Sequence, residues 1–359
     1  MKAIKIVEPG KAAVTTDEPI PSLPSGTWLR IKTIAVALNP TDWKHIKGHM
    51  CPTRSTPGCD VTGIVEEVGA EVTKPFKKGD RVFATVHGSN VLNLDRGAFQ
   101  EYVLVPQHAT MRVPDGVAWE NVAGAGVAVV TVGQGLYQEM GLPWPEHQFK
   151  KGEEKSILIW GGSSAMGSAG IQFAKLSGFT VITTCSPSNF DYVKSLGADA
   201  VFNSRDPTVG AQIREHTHNK LYYAWDCIGE HGSVTQCCDA LASSAPEGQE
   251  LRYGTILFGL PPAPREDVIS TATLAYTANG YAFKIFVDGN EVNFPAQPEQ
   301  LEFIDRWVPV AERLLAEGKW KTHRVEVREG GLEGVLKGLD DLQTGTVSGV
   351  KLVYRIGEP

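Results

Sequence analysis

The chain has 359 residues, of which 42% are hydrophobic and 21% charged, with a formal net charge of −7. That length and apolar content call for two domains with real cores and exclude a disordered chain. The modest acidic balance is spread without a basic run, which argues against nucleic acid or an anionic membrane surface as the main partner and points to a small molecule.

At the N-terminus, MKAIKIVEPGKAAV lacks the long apolar core of a signal peptide. No later stretch approaches the roughly 18 uninterrupted apolar residues of a membrane span, so the chain reads as soluble and cytoplasmic. Residues 1–110 carry short β-like runs broken by Gly and Pro (WLRIKTIAVAL, DVTGIVEEVG, RVFATV, FQEYVLV), which predict a compact, mostly β domain. The Pro-rich stretch LPWPEHQFKKGEEKS reads as a surface connection or a cleft-edge loop. From about residue 155 the rhythm changes to apolar strand, turn and amphipathic helix: SILIW, SAGIQFAKLSG, FTVITTC, NFDYVKSLGA, DAVFNS, LYYAWDC and GTILFGL. This is the cadence of a doubly wound parallel sheet. After about residue 300 a helical segment, LEFIDRWVPVAERLLAEGKW, leads to short strands ending in GVKLVYRI. The pattern is that of an α/β nucleotide-binding domain inserted into a β-rich catalytic domain, with the active site expected in the cleft between them. Six cysteines, at 51, 59, 185, 227, 237 and 238, have no paired spacing and read as reduced thiols.

WGGSSAMGSAG at 160–170 follows an apolar run and opens a helix, the position at which a dinucleotide pyrophosphate rests on a helix N-terminus. Set as G-x-G-x-x-G, the fingerprint has Gly162 and Gly167 in its outer places and Ser164 where the middle glycine belongs. Hydroxyls of Ser163 and Ser164 are then expected to donate to phosphate, with Ala165 and Met166 completing the cradle. An ordinary helix entry is the alternative. The second strand, FTVITTC, ends about 20 residues later, the distance at which such domains read the adenosine ribose. Its sequel, CSPSN, has no carboxylate to repel a 2′-phosphate. Ser186, Ser188 and Asn189 can hydrogen-bond one, and Arg205 adds charge, so NADPH is the expected cofactor. SPSN also reads as an N-cap for a helix near Phe190, and the two roles are compatible.

Several segments resemble the medium-chain dehydrogenase/reductases along nearly the full chain: NPTDWK at 39–44, PGCDVTGIVEEVG at 57–69, KKGDRVF at 77–83, RGAFQEYVLVP at 96–106, TVGQGL at 131–136, LGAD at 196–199 and GVKLV at 349–353. The resemblance implies a mostly β GroES-like catalytic domain in two parts, residues 1–130 and 300–359, around an inserted Rossmann domain with a doubly wound parallel sheet at 131–299. Zinc-dependent members carry a catalytic cysteine in the segment matched by NPTDWK and Gly-His-Glu in that matched by PGCD. Here Cys59 and Asp60 stand in the last two of those places, too few ligands for a catalytic zinc, so no metal is expected.

Within the zinc-free branch the chain is similar to the fungal trans-acting enoyl reductases of polyketide synthases, of the lovastatin type. GGSSAMG, CSPSNFDYVKSLGADAVF and GLPWP carry that likeness. It implies NADPH-dependent reduction of an α,β-unsaturated polyketide acyl thioester on a synthase carrier protein. It also implies that NPTDWK, with Thr41, Asp42 and Lys44, and Thr131 border the nicotinamide and substrate. Lys44 would orient the nicotinamide ribose or stabilise developing charge, or is a solvated lysine. Asp42 would hold Lys44 or cap a turn. Thr131 would bond cofactor or substrate carbonyl, or merely pack. Ser348 and Gly349 are carried over as cofactor contacts, and Phe258 and Gly259 are placed at the end of the fifth strand, where open sheets bind ligands. Asp226 would shape the cofactor cleft or pack a strand end. The tyrosine of mitochondrial-type enoyl reductases has no equivalent, Met50 falling in its place, and His45, His49 and His87 are not distinguished by spacing. GYAFKIF at 280–286 reads as a strand of the cofactor domain or a channel lining. In related dimers this region forms the subunit contact, but Asp288, Gly289, Asn290 and Pro295 interrupt an edge, which favours a monomer. A stand-alone quinone or small-enone reductase, a double-bond isomerase and a non-catalytic NADPH-binding partner protein remain as alternatives.

Overall fold

The computed structural model describes residues 1–153, 155–259, 263–287 and 289–359. Packing divides the chain into one unit of Met1–Val130 with Tyr276–Pro359 and a second of Thr131–Ala275. The first begins with a hairpin, β1 (Ala3–Glu8) and β2 (Lys11–Thr15), turned at Gly10, whose φ is +78°. Next come β3 (Trp28–Ala37), α1 (Pro40–Lys47), β4 (Asp60–Val68), β5 (Arg81–Thr85), β6 (Tyr102–Pro106), β7 (Thr110–Arg112), α2 (Trp119–Val122) and α3 (Ala125–Val132).

The ten residues of β3, WLRIKTIAVA, are rich in β-branched side chains and almost wholly buried, so this strand serves two neighbours on one edge. Its first half pairs β6 and its last residues pair a strand from the chain's end, while β4 runs antiparallel along the other edge with two register shifts. Close approach at the first strand pair depends on Gly63, where a Cβ would stand 2.2 Å from the Lys32 carbonyl oxygen. Ile4, Leu29, Ile31, Val61, Val82, Phe99 and Val103 form the core of this unit. Burying each large apolar side chain of this set contributes about 1.5–3 kcal/mol.

The second unit contains β8 (Ser156–Trp160), α4 (Ala165–Leu176), β9 (Thr180–Cys185), α5 (Phe190–Ser195), β10 (Ala200–Asn203), α6 (Val209–His216), β11 (Tyr223–Asp226), α7 (Ser233–Ala240), β12 (Leu251–Thr255) and β13 (Val268–Ala272). The strands form one parallel sheet in the order β10-β9-β8-β11-β12-β13. Counted within the unit this is 3-2-1-4-5-6, the doubly wound dinucleotide-binding order with its switch point between β8 and β11. SILIW reads as a continuous apolar run because β8 lies mid-sheet with both faces covered.

The chain then returns to the first unit through β14 (Phe283–Val287), β15 (Asn290–Phe294), α8 (Pro298–Ala316), β16 (Val325–Arg328), α9 (Gly331–Gln343) and β17 (Lys351–Arg355). Helix α8 buries Ile304, Trp307, Val308, Ala311 and Leu314, spaced as one face of a helix, and Trp307 Nε1 donates to the Val129 carbonyl at 2.8 Å.

Four expectations are corrected here. Residues 276–299 pack with the β-rich unit, so the return comes at Tyr276 rather than at 300. The segment GYAFKIF contributes β14 to a two-stranded antiparallel hairpin with β15, not to the parallel sheet, because Phe283 stacks on Phe294 across the pair. Gly289 has a φ of +78° and Asn290 opens β15, so these residues turn the chain rather than interrupt an edge, while Asp288 lies outside the described residues. In GTILFGL only Gly254 and Thr255 belong to β12. Phe258 and Gly259 stand beyond the strand end, and Leu260 is outside the described residues, as is Glu154 of the Pro-rich connection.

Candidate active site

In the second unit the turn after β8 is built by three glycines. Gly161 carries the left-handed φ of +77°, and its amide donates to Thr184 Oγ1 at 3.1 Å. A Cβ on Gly162 would stand 2.1 Å from Thr183 Oγ1, and one on Gly167 would stand 2.2 Å from the Gly161 carbonyl oxygen. Gly161 is therefore the turn glycine, which the sequence pattern does not single out. Gly162 and Gly167 let strand, turn and helix α4 approach. Ser164 is the N-cap of α4, its Oγ accepting the Gly167 amide at 3.0 Å. Its oxygen thus takes up a helix donor while its O–H remains able to donate. The amides of Ala165 and Met166 open α4 without intrahelical acceptors, and the turn sits at the switch point. These features fit a dinucleotide pyrophosphate.

Beyond β9, the Ser186 and Ser188 hydroxyls lie 3.3 Å apart, and Asn189 Nδ2 donates to Ser186 Oγ at 3.2 Å. Helix α5, with six residues, is too short to present a strong N-terminal field, so the anion argument rests on side chains. The Ser204 amide donates to the Cys185 carbonyl at 3.1 Å, which draws the loop after β10 against CSPSN. Arg205, next in sequence, is exposed and has no carboxylate partner among the described residues. At the end of β11, Asp226 is spent internally: it accepts from the amides of Ile228 and Gly229, from Ser233 Oγ at 2.5 Å and from Tyr253 Oη at 3.0 Å. It is a strand-end anchor. Phe258 is 48% exposed and Gly259 has a φ of +84°. Thr131 is buried within α3, which continues into a π-helical segment, Gly133–Glu139. There Gly135 lies so near Trp225 that a Cβ would meet its Nε1 at 2.6 Å.

In the first unit α1 is held from beneath. Asp42 Oδ2 accepts the Asn39 amide at 2.7 Å, closing the first turn, and the cation acting on its carboxylate is Lys351. The alternative in which Asp42 holds Lys44 is thus replaced by the cap. Burial is the main cause of a carboxyl raised to about 7, countered by the Asn39 amide and Lys351. Lys44 is half-buried, its ammonium 5.8 Å from the Trp43 ring centre. Asn39 Nδ2 donates to Asp60 Oδ2 at 2.9 Å, its Oδ1 accepts from Lys351 Nζ, and Lys351 also pairs with Asp60. Ser348 is exposed, and the Gly349 carbonyl accepts from Arg324 Nε.

The same unit gathers a cluster that sequence spacing misses. Thr41 Oγ1 lies 2.9 Å from Tyr276 Oη and 3.1 Å from His45 Nδ1. Cys59 Sγ lies 3.7 Å from Tyr276 Oη, and the His87 ring stacks on Tyr276 with centroids 3.8 Å apart. Burial holds both histidines below the ordinary imidazole range, His87 far below it, and pushes the Cys59 thiol and Tyr276 phenol well up, with Asp42 adding to the thiol and Cys59 to the phenol. His49 is exposed at the end of α1.

The chain matches two family models, the alcohol dehydrogenase GroES-like domain over residues 25–115 and the zinc-binding dehydrogenase over residues 165–266. It is 42% identical over 369 aligned residues to the trans-enoyl reductase resD of Aspergillus sclerotiorum, covering 99% of this chain and all of that protein. It belongs to the trans-enoyl reductases, within the medium-chain dehydrogenase/reductase family. This trans-enoyl reductase is also 39% identical to ACTTS2 of Alternaria alternata, covering 99% of this chain and 98% of the relative. In fold it matches the CurK enoyl reductase with a TM-score of 0.74 at 16% identity, covering 99% and 98% of the two chains. The family's dinucleotide domain implies a nicotinamide cofactor, and the β8 turn fits one.

A catalytic zinc, which the second family model's description suggests, does not fit these residues. The Lys351 ammonium already occupies the acidic position at Asp60. Among the described residues no group of three or more His, Cys, Asp or Glu stands together as a ligand set. No helix among them is long and apolar enough to cross a membrane.

Proposed function

We propose that this chain is an NADPH-dependent enoyl reductase working in trans on a polyketide acyl thioester carried by a synthase. The observation that carries this reading is the full-length likeness to proteins named trans-enoyl reductases, on a chain whose β8 turn keeps the glycines a pyrophosphate needs. The bound cofactor would supply a hydride to the β-carbon of the α,β-unsaturated thioester. The chain must then hold that cofactor, steady the charge growing on the thioester oxygen and deliver a proton to the α-carbon.

Ser163, the Ser164 O–H, the amides of Ala165 and Met166, and the turn at Gly162 and Gly167 would cradle the pyrophosphate. Ser186, Ser188, Asn189 and Arg205 would take the 2′-phosphate. Thr41, Thr131 and Lys44 would border the nicotinamide and the thioester, with Asp42 fixing the start of α1 beneath them. Phe258, Gly259, Ser348 and Gly349 would complete the cofactor's surroundings. We take the working form as a monomer. The test is cofactor oxidation with a crotonyl thioester of pantetheine, compared with a simple quinone, using NADPH and NADH in turn. Turnover of the thioester with NADPH preferred is expected. Turnover of quinone alone would make the chain a small-enone or quinone reductase instead.

A further inference from the structure

The Tyr276 phenol is placed in a chain of hydrogen-bonding groups from α1. His45 Nδ1 lies 2.8 Å from the Thr41 carbonyl oxygen, so Nδ1 carries the hydrogen and donates; a bare nitrogen would face an acceptor with an acceptor. The same N–H faces Thr41 Oγ1 at 3.1 Å, leaving the threonine hydroxyl hydrogen free to donate to Tyr276 Oη at 2.9 Å. The phenolic oxygen can then accept from Thr41, which leaves its own hydrogen available to another group. The only other polar atom placed near it by these contacts is the Cys59 sulfur, a weak acceptor at 3.7 Å.

His87 fixes the ring from its face. Asn90 Oδ1 accepts the Leu92 amide, so Asn90 Nδ2 points at His87 Nδ1 and donates to it at 3.2 Å. That leaves His87 Nε2 protonated. It and His45 Nε2 are buried with no hydrogen-bond partner among the described residues. Unpaired polar atoms of this kind are rare in a folded interior, and a ligand group, an ordered water or local strain accounts for them. Tyr276 is half-buried between them, with a neutral imidazole stacked on its face.

We propose that Tyr276 is the acid that protonates the α-carbon of the substrate, its phenol oriented by the Thr41 hydroxyl and by the rings of His45 and His87. This rests on the enoyl reductase reading above, in which Thr41 borders the nicotinamide. As hydride reaches the β-carbon, one new C–H bond forms and the alkene π pair shifts toward the α-carbon and thioester oxygen. The Tyr276 O–H bond then breaks: its hydrogen forms the second new C–H bond at the α-carbon, and its electron pair stays on the phenolic oxygen. The alkene gains two electrons, which the nicotinamide loses. The Thr41 hydroxyl donates to the phenolate and, being half-buried, passes it a proton from water. A phenol suits this task because the carbon of a thioester enolate is far more basic than phenolate, while a neutral imidazole is a weaker acid than phenol.

The test uses the whole protein with NADPH and an α-methyl enoyl thioester of pantetheine, reading both kcat and the configuration at the α-carbon. Tyr276→Phe keeps the ring on His87. It is expected to retain NADPH affinity, to lose about a hundredfold or more in kcat, and to release both α-configurations, because water then protonates either face. Thr41→Val is expected to lose about tenfold in kcat and to keep one configuration. A Tyr276→Phe enzyme that still delivers the single wild-type configuration, at whatever rate, overturns the assignment. If that variant does not fold, an unchanged kcat in Thr41→Val overturns it. A wild-type protein inert toward the thioester removes the proposed function and this inference together, whereas an active wild type separates the two.

Discussion

Lys351 Nζ lies 3.3 Å from Asp60 Oδ2, joining two residues 291 positions apart, and both side chains are closed off from solvent. Asn39 bridges the pair, and the Val127 amide donates to the other carboxylate oxygen at 2.8 Å. A buried ion pair of this kind is no large net source of stability, yet removing one partner is severe. Lys351→Met strands the Asp60 charge and should destabilise the protein by about 3–5 kcal/mol, read as a lower urea midpoint. Lys351→Met with Asp60→Leu should recover much of that loss. If the double variant is no more stable than the single one, the pairing does not govern the site.

Much of this frame is legible in the sequence where residues stack along one element. Strands β3, β4, β8 and β9 carry dense β-branched runs, and α8 repeats its apolar face over nineteen residues. Strand β13 escapes notice because VISTA is a polar edge strand with a single buried residue, Val268. GTILFGL misleads in the opposite way, since its apolar residues lie past the strand end at Thr255. The site divides similarly. The β8 turn is local and readable, whereas Tyr276 meets Thr41 across 235 positions, and no periodicity records such a contact. A lysine opening the buried strand KLVYR is the one sequence hint of the Asp60 pair.

Burial raises Asp42 to about 7 from its ordinary 3.8, so the folded state binds its proton more tightly than the unfolded chain does. Between about pH 4 and 7 the native state holds the extra proton, and stability must fall as pH rises through that window. Asp60 opposes the ionised form, while the Asn39 amide, Lys351 and a hydrogen bond from Cys59 favour it. Asp42→Asn keeps an acceptor for that amide and should flatten the decline by a few kcal/mol at most. Glu139, also raised to about 7 by burial, should preserve the remainder. Chemical denaturation of both proteins at pH 4, 5, 6 and 7 measures the difference, and parallel curves would count against Asp42 as its source.

Ser164 caps α4 at the place where the dinucleotide fingerprint has its middle glycine. Ser164→Ala should cost about 1 kcal/mol through loss of the cap, whereas Ser164→Gly should cost only a few tenths. The glycine variant also frees the Gly167 amide for phosphate, so its NADPH affinity should stay within about threefold of wild type, a shift below one hydrogen bond. Thermal unfolding and NADPH fluorescence titration separate the two effects. A tenfold or greater loss of affinity in Ser164→Gly would mean that the serine O–H, rather than the backbone, holds the pyrophosphate.

In the proposed function Arg205 would decide the choice between nicotinamide cofactors. Its guanidinium follows the Ser204 amide, which is bonded to the Cys185 carbonyl, and no carboxylate among the described residues neutralises it. A 2′-phosphate there would gain a charge-assisted contact worth about 1.5–3 kcal/mol, while NADH, lacking that phosphate, would gain little. Arg205→Ala should therefore weaken NADPH binding by roughly tenfold to a hundredfold and leave NADH nearly unchanged. Arg205→Glu should go further by repelling the phosphate. Titrating both cofactors into each variant at two salt concentrations tests this, because an exposed contact must weaken as salt rises. Equal losses for NADPH and NADH would place Arg205 outside phosphate recognition and leave Ser186 and Ser188 to carry it.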